Sequence, residues 1–344
     1  MISLGLRGAT PLVVPDRLGG ELKDKLIARS GASHIASLTD AGSLRVAETG
    51  QVPKLPVGEP VPLCLTTSGS TGVPKVVVLS KTGVNTFFDW AQGCFSIQPG
   101  TRILSIAPFN FDLSLLELWA GLDAGAEVIL ADPERSAEPG YLAELCAEAR
   151  LEIVQAVSLF QERLCAAGRA DPGFSPRHVI VTGEAAPRVL RRQMARQFPS
   201  AVFHNIYGST ETNDSFILTL GAEDFAAAEK LGIGRPIAGT DYYITEDPGE
   251  PGTGELLTAT PFAATGYTDP EQTLNAFLPR LENERLVTYF RPGDRVQRQP
   301  DGSLLLIGRA NYVLTQEPLP KTSTGKINRG AVQRLYAPRP EKSA

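Results

Sequence analysis

The chain has 344 residues, is 42% hydrophobic and 21% charged, and carries a formal net charge of −5. That length suggests roughly two domains and a sizeable core. The apolar content excludes a disordered chain, and the acidic balance offers nucleic acid no broad basic face.

Segment 1–7 lacks a basic stretch followed by a long apolar one. No segment approaches the roughly 20 apolar residues of a membrane span, so no membrane contact and a cytoplasmic protein are expected. A short helix is predicted over 22–28, and Pro53, Pro56, Pro60 and Pro62 mark an irregular connection. From 63 to about 207, short apolar runs at 63–66, 76–79, 103–106, 128–130, 153–154, 179–181 and 202–206 read as strands. Apolar residues at three- and four-residue spacing over 113–122, 141–149, 159–167 and 189–198 read as helices between them. Parallel strands need such crossovers, so a layered α/β domain is predicted. Segments 241–245, 254–259, 286–289 and 303–307, with a turn at 247–252, read as a smaller, mostly antiparallel β unit. The last residues are expected to fray. Cys64, Cys94, Cys146 and Cys165 form no C-x-x-C pair and read as buried free thiols. His34, His178 and His204 have no metal-binding spacing.

Four motifs carry chemistry. In Thr66-Thr67-Ser68-Gly69-Ser70-Thr71-Gly72-Val73-Pro74-Lys75 a strand enters a loop of hydroxyls and glycines closed by a lysine. Glycines admit backbone N–H groups to an anion, hydroxyls donate to phosphate oxygens, and Lys75 adds positive charge. The spacing is not that of a Walker A loop. In Asn205-Ile206-Tyr207-Gly208-Ser209-Thr210-Glu211, Thr210 can meet a phosphate, Glu211 is a hard oxygen ligand, and Tyr207 offers a flat ring. Asp294, at a Gly turn, can take ribose hydroxyls, and Arg309 can reach ribose or phosphate. Taken singly, these last residues read equally as a turn aspartate and a surface arginine. The fourth motif, Lys321-Thr322-Ser323-Thr324-Gly325-Lys326, reads alone as a solvated basic tail.

Together and in this order, the four resemble the adenylate-forming superfamily: acyl-CoA synthetases, nonribosomal peptide synthetase adenylation domains and luciferases. The match runs from about Leu63 to Arg329. The resemblance implies an α/β sandwich core (1–225), a smaller distorted β-barrel unit (226–310) and a terminal segment with the lysine motif (311–344). It implies that Thr67, Ser68, Gly69, Ser70, Thr71, Gly72 and Lys75 hold ATP phosphates. Gly183, Glu184 and Ala185 would border the nucleotide, with Asn205 near the adenine amino edge, Tyr207 stacked on the base, and Gly208 and Ser209 beside it. Thr210 would meet the α-phosphate, Glu211 hold Mg²⁺, Asp294 bind ribose, Arg309 contact nucleotide, and Lys326 bridge substrate carboxylate and α-phosphate.

Phe109-Asn110-Phe111-Asp112-Leu113-Ser114 resembles the F-D-x-S motif of amino-acid-activating members and of D-alanine–carrier protein ligases. There the aspartate pairs with the substrate ammonium. From the residues alone, Asp112 reads equally as the cap of a helix beginning near Leu113. The resemblance implies a pocket of Phe111, Leu113, Leu116, Gln155, Ile180, Thr182, Ile206, Asp214 and Ser215. Its polar members favour a small or polar amino acid over a large aromatic acid, and Asp214 leaves a second substrate amine open. The expected activity is conversion of an amino acid to aminoacyl-AMP, then transfer to the phosphopantetheine thiol of a carrier protein. The alternatives are an amide or ester ligase and a non-catalytic nucleotide-binding relative.

The sequence departs from the family pattern. Val76 and Pro292 replace the usual Gly and Thr, and Asn311 stands where Asp is expected. Only 65 residues precede Thr66, fewer than is typical of the family. About a hundred residues would ordinarily follow Arg309 as a mobile C-terminal subdomain, yet the lysine motif follows almost at once. That subdomain is therefore expected to be almost entirely absent, with Lys326 reaching the site on a short tether.

Overall fold

The computed structural model describes residues 9–309 apart from 16–17, 40–41, 56–60, 68–72 and 167–174. Helix α1 (Gly20–Ser30) ends where Gly31 takes the left-handed conformation, and a two-stranded ribbon follows, β1 (His34–Leu38) and β2 (Leu44–Glu48). Strands β3 (Cys64–Thr67) and β4 (Lys75–Val78) pair antiparallel, and helix α2 (Lys81–Phe95) follows. Only seven residues separate β3 from β4. That is too few for a parallel crossover, so these strands stand outside the alternation read from the sequence. The parallel pattern begins only at the next strand.

Five parallel strands follow: β5 (Arg102–Ser105), β6 (Glu127–Leu130), β7 (Ile153–Ala156), β8 (His178–Thr182) and β9 (Val202–Ser209). Helices α3 (Pro139–Glu148), α4 (Ser158–Ala166) and α5 (Arg188–Gln197) connect β6 to β9. Antiparallel β10 (Asn213–Leu220), helix α6 (Ala222–Ala227) and β11 (Arg235–Pro236) complete a seven-stranded sheet of order β11-β10-β9-β8-β7-β5-β6. Alternate strand residues serve two cores. Ile103, Ile153, Ile180 and Ile206 pack with Phe87, Ala91 and Phe95 of α2. Leu104, Val154, Val179, Val181 and Phe203 pack with Leu142, Leu164, Leu190 and Met194 of the crossover helices. Chain order reverses between β5 and β7, the kind of crevice where open α/β sheets bind ligands at the strands' carboxyl ends.

The β5–β6 connection departs from the expected α-helix. Leu115–Ala120 forms a π-helix, followed by one α-turn at Gly121–Asp123. Four consecutive residues, Leu115 to Leu118, are buried. A single amphipathic stripe cannot do that, so this segment is enclosed on most of its circumference.

Beyond β11, strands β12 (Asp241–Asp247) and β13 (Glu250–Ala259) begin a second, antiparallel sheet. Strand β14 (Gly266–Tyr267) instead pairs with β4, giving a three-stranded sheet, and helix α7 (Pro270–Ala276) follows, capped by Asp269. Strands β15 (Phe277–Glu282), β16 (Arg285–Phe290), β17 (Asp294–Arg298) and β18 (Leu304–Arg309) complete the second sheet. It is open: among the described residues no barrel closes. Both β11 and β14 cross the expected boundary at 225, pairing with strands N-terminal to it. The four cysteines are free, with Cys64 and Cys146 buried and Cys94 exposed. Among the described residues no helix is long and apolar enough to cross a membrane.

Candidate active site

The loop between β9 and β10 carries Thr210 and Glu211. Thr212 N–H donates to Ser209 O at 3.0 Å, and Asn213 takes φ 51°. A turn followed by a left-handed residue closes a three-residue hairpin loop. Gly208 stands opposite Asp214, and a Cβ on it would lie 1.9 Å from Asn213 O. Any side chain would therefore break the pairing. Register then shifts between Asp214 and Phe216, leaving Ser215 as the extra residue of a bulge. Ser215 is fully buried and its hydroxyl donates to Thr212 Oγ1 at 3.2 Å.

The two side chains at the hairpin tip serve different neighbours. Thr210 Oγ1 donates to Asp112 Oδ2 at 2.9 Å, while Asp112 Oδ1 accepts from Leu113 N at 3.0 Å. The bond from Leu113 N–H comes from the adjacent residue and not from an N–H two or three residues on, so Asp112 does not cap the helix that follows. Glu211 is buried, and its Oε1 accepts from the Tyr267 hydroxyl at 2.6 Å. Lys75 Nζ lies 4.8 Å from the centre of the same ring, a cation–π arrangement. Among the described residues Lys75 has no carboxylate within ion-pair distance. The hairpin tip therefore joins the expected acyl pocket to the strand that leaves the phosphate loop.

The wall of that pocket is built from β5, the π-helix and β7. Buried Glu117 accepts through Oε2 from the N–H groups of Ile106 and Ala107, both at 2.9 Å. Burial raises its carboxyl to about 7. Gln155, also buried, donates to Leu113 O at 2.9 Å and to Glu117 Oε1 at 3.3 Å, tying β7 to the segment that holds Asp112. Asn110 donates to Thr66 Oγ1 at 3.2 Å, tying that segment to β3. Phe111 and Leu113 are half-buried; Leu116, Ile180, Thr182 and Ile206 are buried. Asp214 is partly exposed, and its carboxyl is raised to about 8 by desolvation and by the Asp112 charge.

At the expected nucleotide end, Tyr207 hydroxyl donates to Asp294 Oδ2 at 2.8 Å, and Arg309 Nε lies 2.6 Å from Asp294 Oδ1. Asp294 is nearly buried, with a side chain 4% exposed against 41% for Arg309. Burial and the Asp294 charge push the Tyr207 phenol well above its ordinary value, so it remains a donor. Its ring meets Phe216 edge-on at 6.0 Å. Asn205 spends a donor on Gly232 O at 2.8 Å. Gly183, with φ 81°, Glu184 and Ala185 emerge at the carboxyl end of β8. Thr67 ends β3. The expected phosphate ligands Ser68, Gly69, Ser70, Thr71 and Gly72, and Lys326 with the whole 311–344 segment, lie outside the described residues.

The model of the AMP-binding enzyme family matches residues 16–268. This chain belongs to that family. The AMP-binding enzyme is 28% identical over 332 residues to an L-proline--[L-prolyl-carrier protein] ligase of Pseudomonas fluorescens, an alignment spanning 94% of this chain and 63% of that relative. It is 32% identical over 252 residues to a dimodular nonribosomal peptide synthase of Bacillus subtilis, spanning 72% of this chain and 10% of that relative. The chain therefore spans less than two thirds of either relative's length. Its fold is that of holo-PA1221, an NRPS protein containing adenylation and PCP domains, at TM-score 0.75 and 21% identity over 97% of this chain and 60% of that one. It is also that of the N-terminal subdomain of Klebsiella oxytoca NpsA, at TM-score 0.69 and 22% identity over 90% of this chain and 82% of that one.

Three residues of the candidate site carry little signal in the sequence. Tyr267 gives no local signal, because its partner Glu211 is 56 residues away. Glu117 sits in what reads as an apolar helix, and only its isolation there marks it. Asn110 lies inside the F-N-F-D segment, where attention falls on Asp112.

Proposed function

We propose that this AMP-binding enzyme activates an amino acid. The substrate carboxylate attacks the α-phosphorus of ATP, the bond to pyrophosphate breaks, and aminoacyl-AMP forms. The phosphopantetheine thiol of a carrier protein then attacks the acyl carbon, the acyl–phosphate bond breaks, and AMP leaves as the thioester forms. The observation that carries this reading is the Asp112–Thr210 hydrogen bond. A pocket carboxylate calls for an ammonium partner, and the hydroxyl it holds is the one expected at the α-phosphate. One contact thus sets the distance between the amino acid and the phosphorus it must attack. The relatives' names support the carrier protein as acceptor.

The attack brings two anions together, so catalysis is chiefly positioning and electrostatics. Lys75, without an ion pair among the described residues, is available to the phosphates, and Lys326 is assigned to bridge the carboxylate and α-phosphate. Asp294 is assigned to ribose, with Tyr207 and Arg309 fixing its carboxylate. Asn205 and the segment from Gly183 to Ala185 border the base. Mg²⁺ fits Glu211: the carboxylate is buried, Tyr267 takes Oε1, and Oε2 has no hydrogen-bond partner among the described residues. Mg²⁺ commonly takes one or two protein carboxylates with substrate phosphates. When bound, it neutralises charge on the phosphates and the leaving pyrophosphate. Thr182, Asp214 and Ser215 favour a small or polar amino acid. The division at 225 and 310 belongs to the same reading.

Incubation with Mg²⁺, ATP, single amino acids and a holo carrier protein tests both half-reactions by mass spectrometry. Aminoacyl-AMP and an acyl-thioester on the carrier are the expected products. A small-molecule amide with no thioester would overturn the acceptor assignment.

A further inference from the structure

Tyr267 lies outside the four motifs named above. It lies on β14, which pairs with β4, so its backbone is fixed to the strand that starts at Lys75. Its N–H donates to Thr273 Oγ1 at 2.9 Å, anchoring it to α7 as well. The side chain is buried, meeting Phe277 edge-on at 5.9 Å. The chain also holds the Glu211 backbone: Ala264 N–H donates to Glu211 O at 2.9 Å. Within this frame the phenol presents two different surfaces. Its hydroxyl donates to Glu211 Oε1, and its ring face receives Lys75. Both charged side chains contact this one tyrosine, and among the described residues they form no ion pair with each other.

We propose that Tyr267 is a positioning residue that seats Lys75 on its ring face and aims Glu211 Oε2 at the divalent cation. The proposal rests on the reading of Glu211 as the metal ligand. An anion held by one oxygen offers the other at a fixed angle. A cation resting on an aromatic face keeps its charge and the N–H donors that point away from the ring for phosphate. Both charges of the site are thereby preserved for a magnesium triphosphate.

The test uses the full chain, Mn²⁺ in place of Mg²⁺, and α,β-methylene-ATP, with enzyme-bound Mn²⁺ read by EPR. Tyr267→Phe keeps the ring and removes only the hydroxyl. It is expected to weaken Mn²⁺ binding about tenfold, the effect of one hydrogen bond to a charged group. Glu211→Gln is expected to weaken it at least as much. In the Glu211→Gln background, Tyr267→Phe should add less than twofold, because it acts through the carboxylate. A merely structural tyrosine would lower the melting temperature in both backgrounds and leave Mn²⁺ affinity unchanged, which would overturn the proposal alone. Unchanged Mn²⁺ binding in Glu211→Gln would overturn the metal-ligand reading, and the proposal with it.

Discussion

Asp112 and Thr210 lie 98 residues apart in sequence and are joined by a 2.9 Å hydrogen bond between Oδ2 and Oγ1. The bond spans the loop after β5 and the hairpin after β9, on either side of the crevice where strand order reverses. If Asp112 pairs with the substrate ammonium, Asp112→Asn removes the charge and keeps the shape. Leaving one ion of such a pair unpartnered costs about 3–5 kcal/mol. The expected outcome is a loss of roughly 10² to 10⁴-fold in kcat/KM for the amino acid, with ATP affinity unchanged, measured by pyrophosphate release. Thr210→Val should cost less, about 10- to 100-fold, and fall mainly on kcat.

Gly208 has no room for a Cβ, which would sit 1.9 Å from Asn213 O. Gly208→Ala must push β9 and β10 apart at the point where Thr210 and Glu211 are presented. An overpacked backbone contact of this kind costs about 1–3 kcal/mol. A melting temperature lowered by several degrees, together with loss of adenylation, is expected from calorimetry and product assay. Full activity at the wild-type melting temperature would show that the hairpin geometry is not needed.

The Asp294 carboxylate already accepts from Tyr207 and contacts Arg309. Tyr207→Phe removes one donor and keeps the ring. KM for ATP is expected to rise about tenfold, as for a lost hydrogen bond to a charged group, while KM for the amino acid stays within about twofold. Steady-state kinetics with each substrate varied would check this. An equal rise in both would place Asp294 in general scaffolding.

His178 and His204 share a hydrogen bond at 3.0 Å, and Phe95 packs edge-on against both rings. Burial lowers both, His204 to about 4. The unfolded chain therefore binds more protons than the folded one between about pH 6.5 and 4, and stability must fall as pH falls through that window. Melting temperatures from pH 7 to pH 4 should decline for the wild type and decline less for His204→Gln, which has no imidazole to charge. Equal slopes would remove the pair as the source.

The parallel sheet was legible because its strands are short apolar runs separated by helices of ordinary period. Helix α2 was not, since Gly83 and Gly93 lower its propensity, although Phe87, Ala91 and Phe95 recur at four-residue spacing on its buried side. Strand β10 was hidden by the bulge at Ser215, which breaks the two-residue alternation that marks a strand. In the candidate site, Thr210, Glu211 and Asp112 stand inside local motifs, and it is the resemblance of those motifs to a known family that singles them out. Contacts across the fold are not marked in this way. Tyr207 meets Asp294 across 87 residues and Tyr267 meets Glu211 across 56, contacts created by sheets packing together rather than by local pattern.

ATP–pyrophosphate exchange across a panel of amino acids with Mg²⁺, run on the wild type and on Asp112→Asn, tests amino acid activation most directly. Strong exchange with a small or polar amino acid in the wild type, and its loss in the variant, is the expected result. Exchange with only a carboxylic acid that lacks an amine, undiminished by Asp112→Asn, would contradict the account.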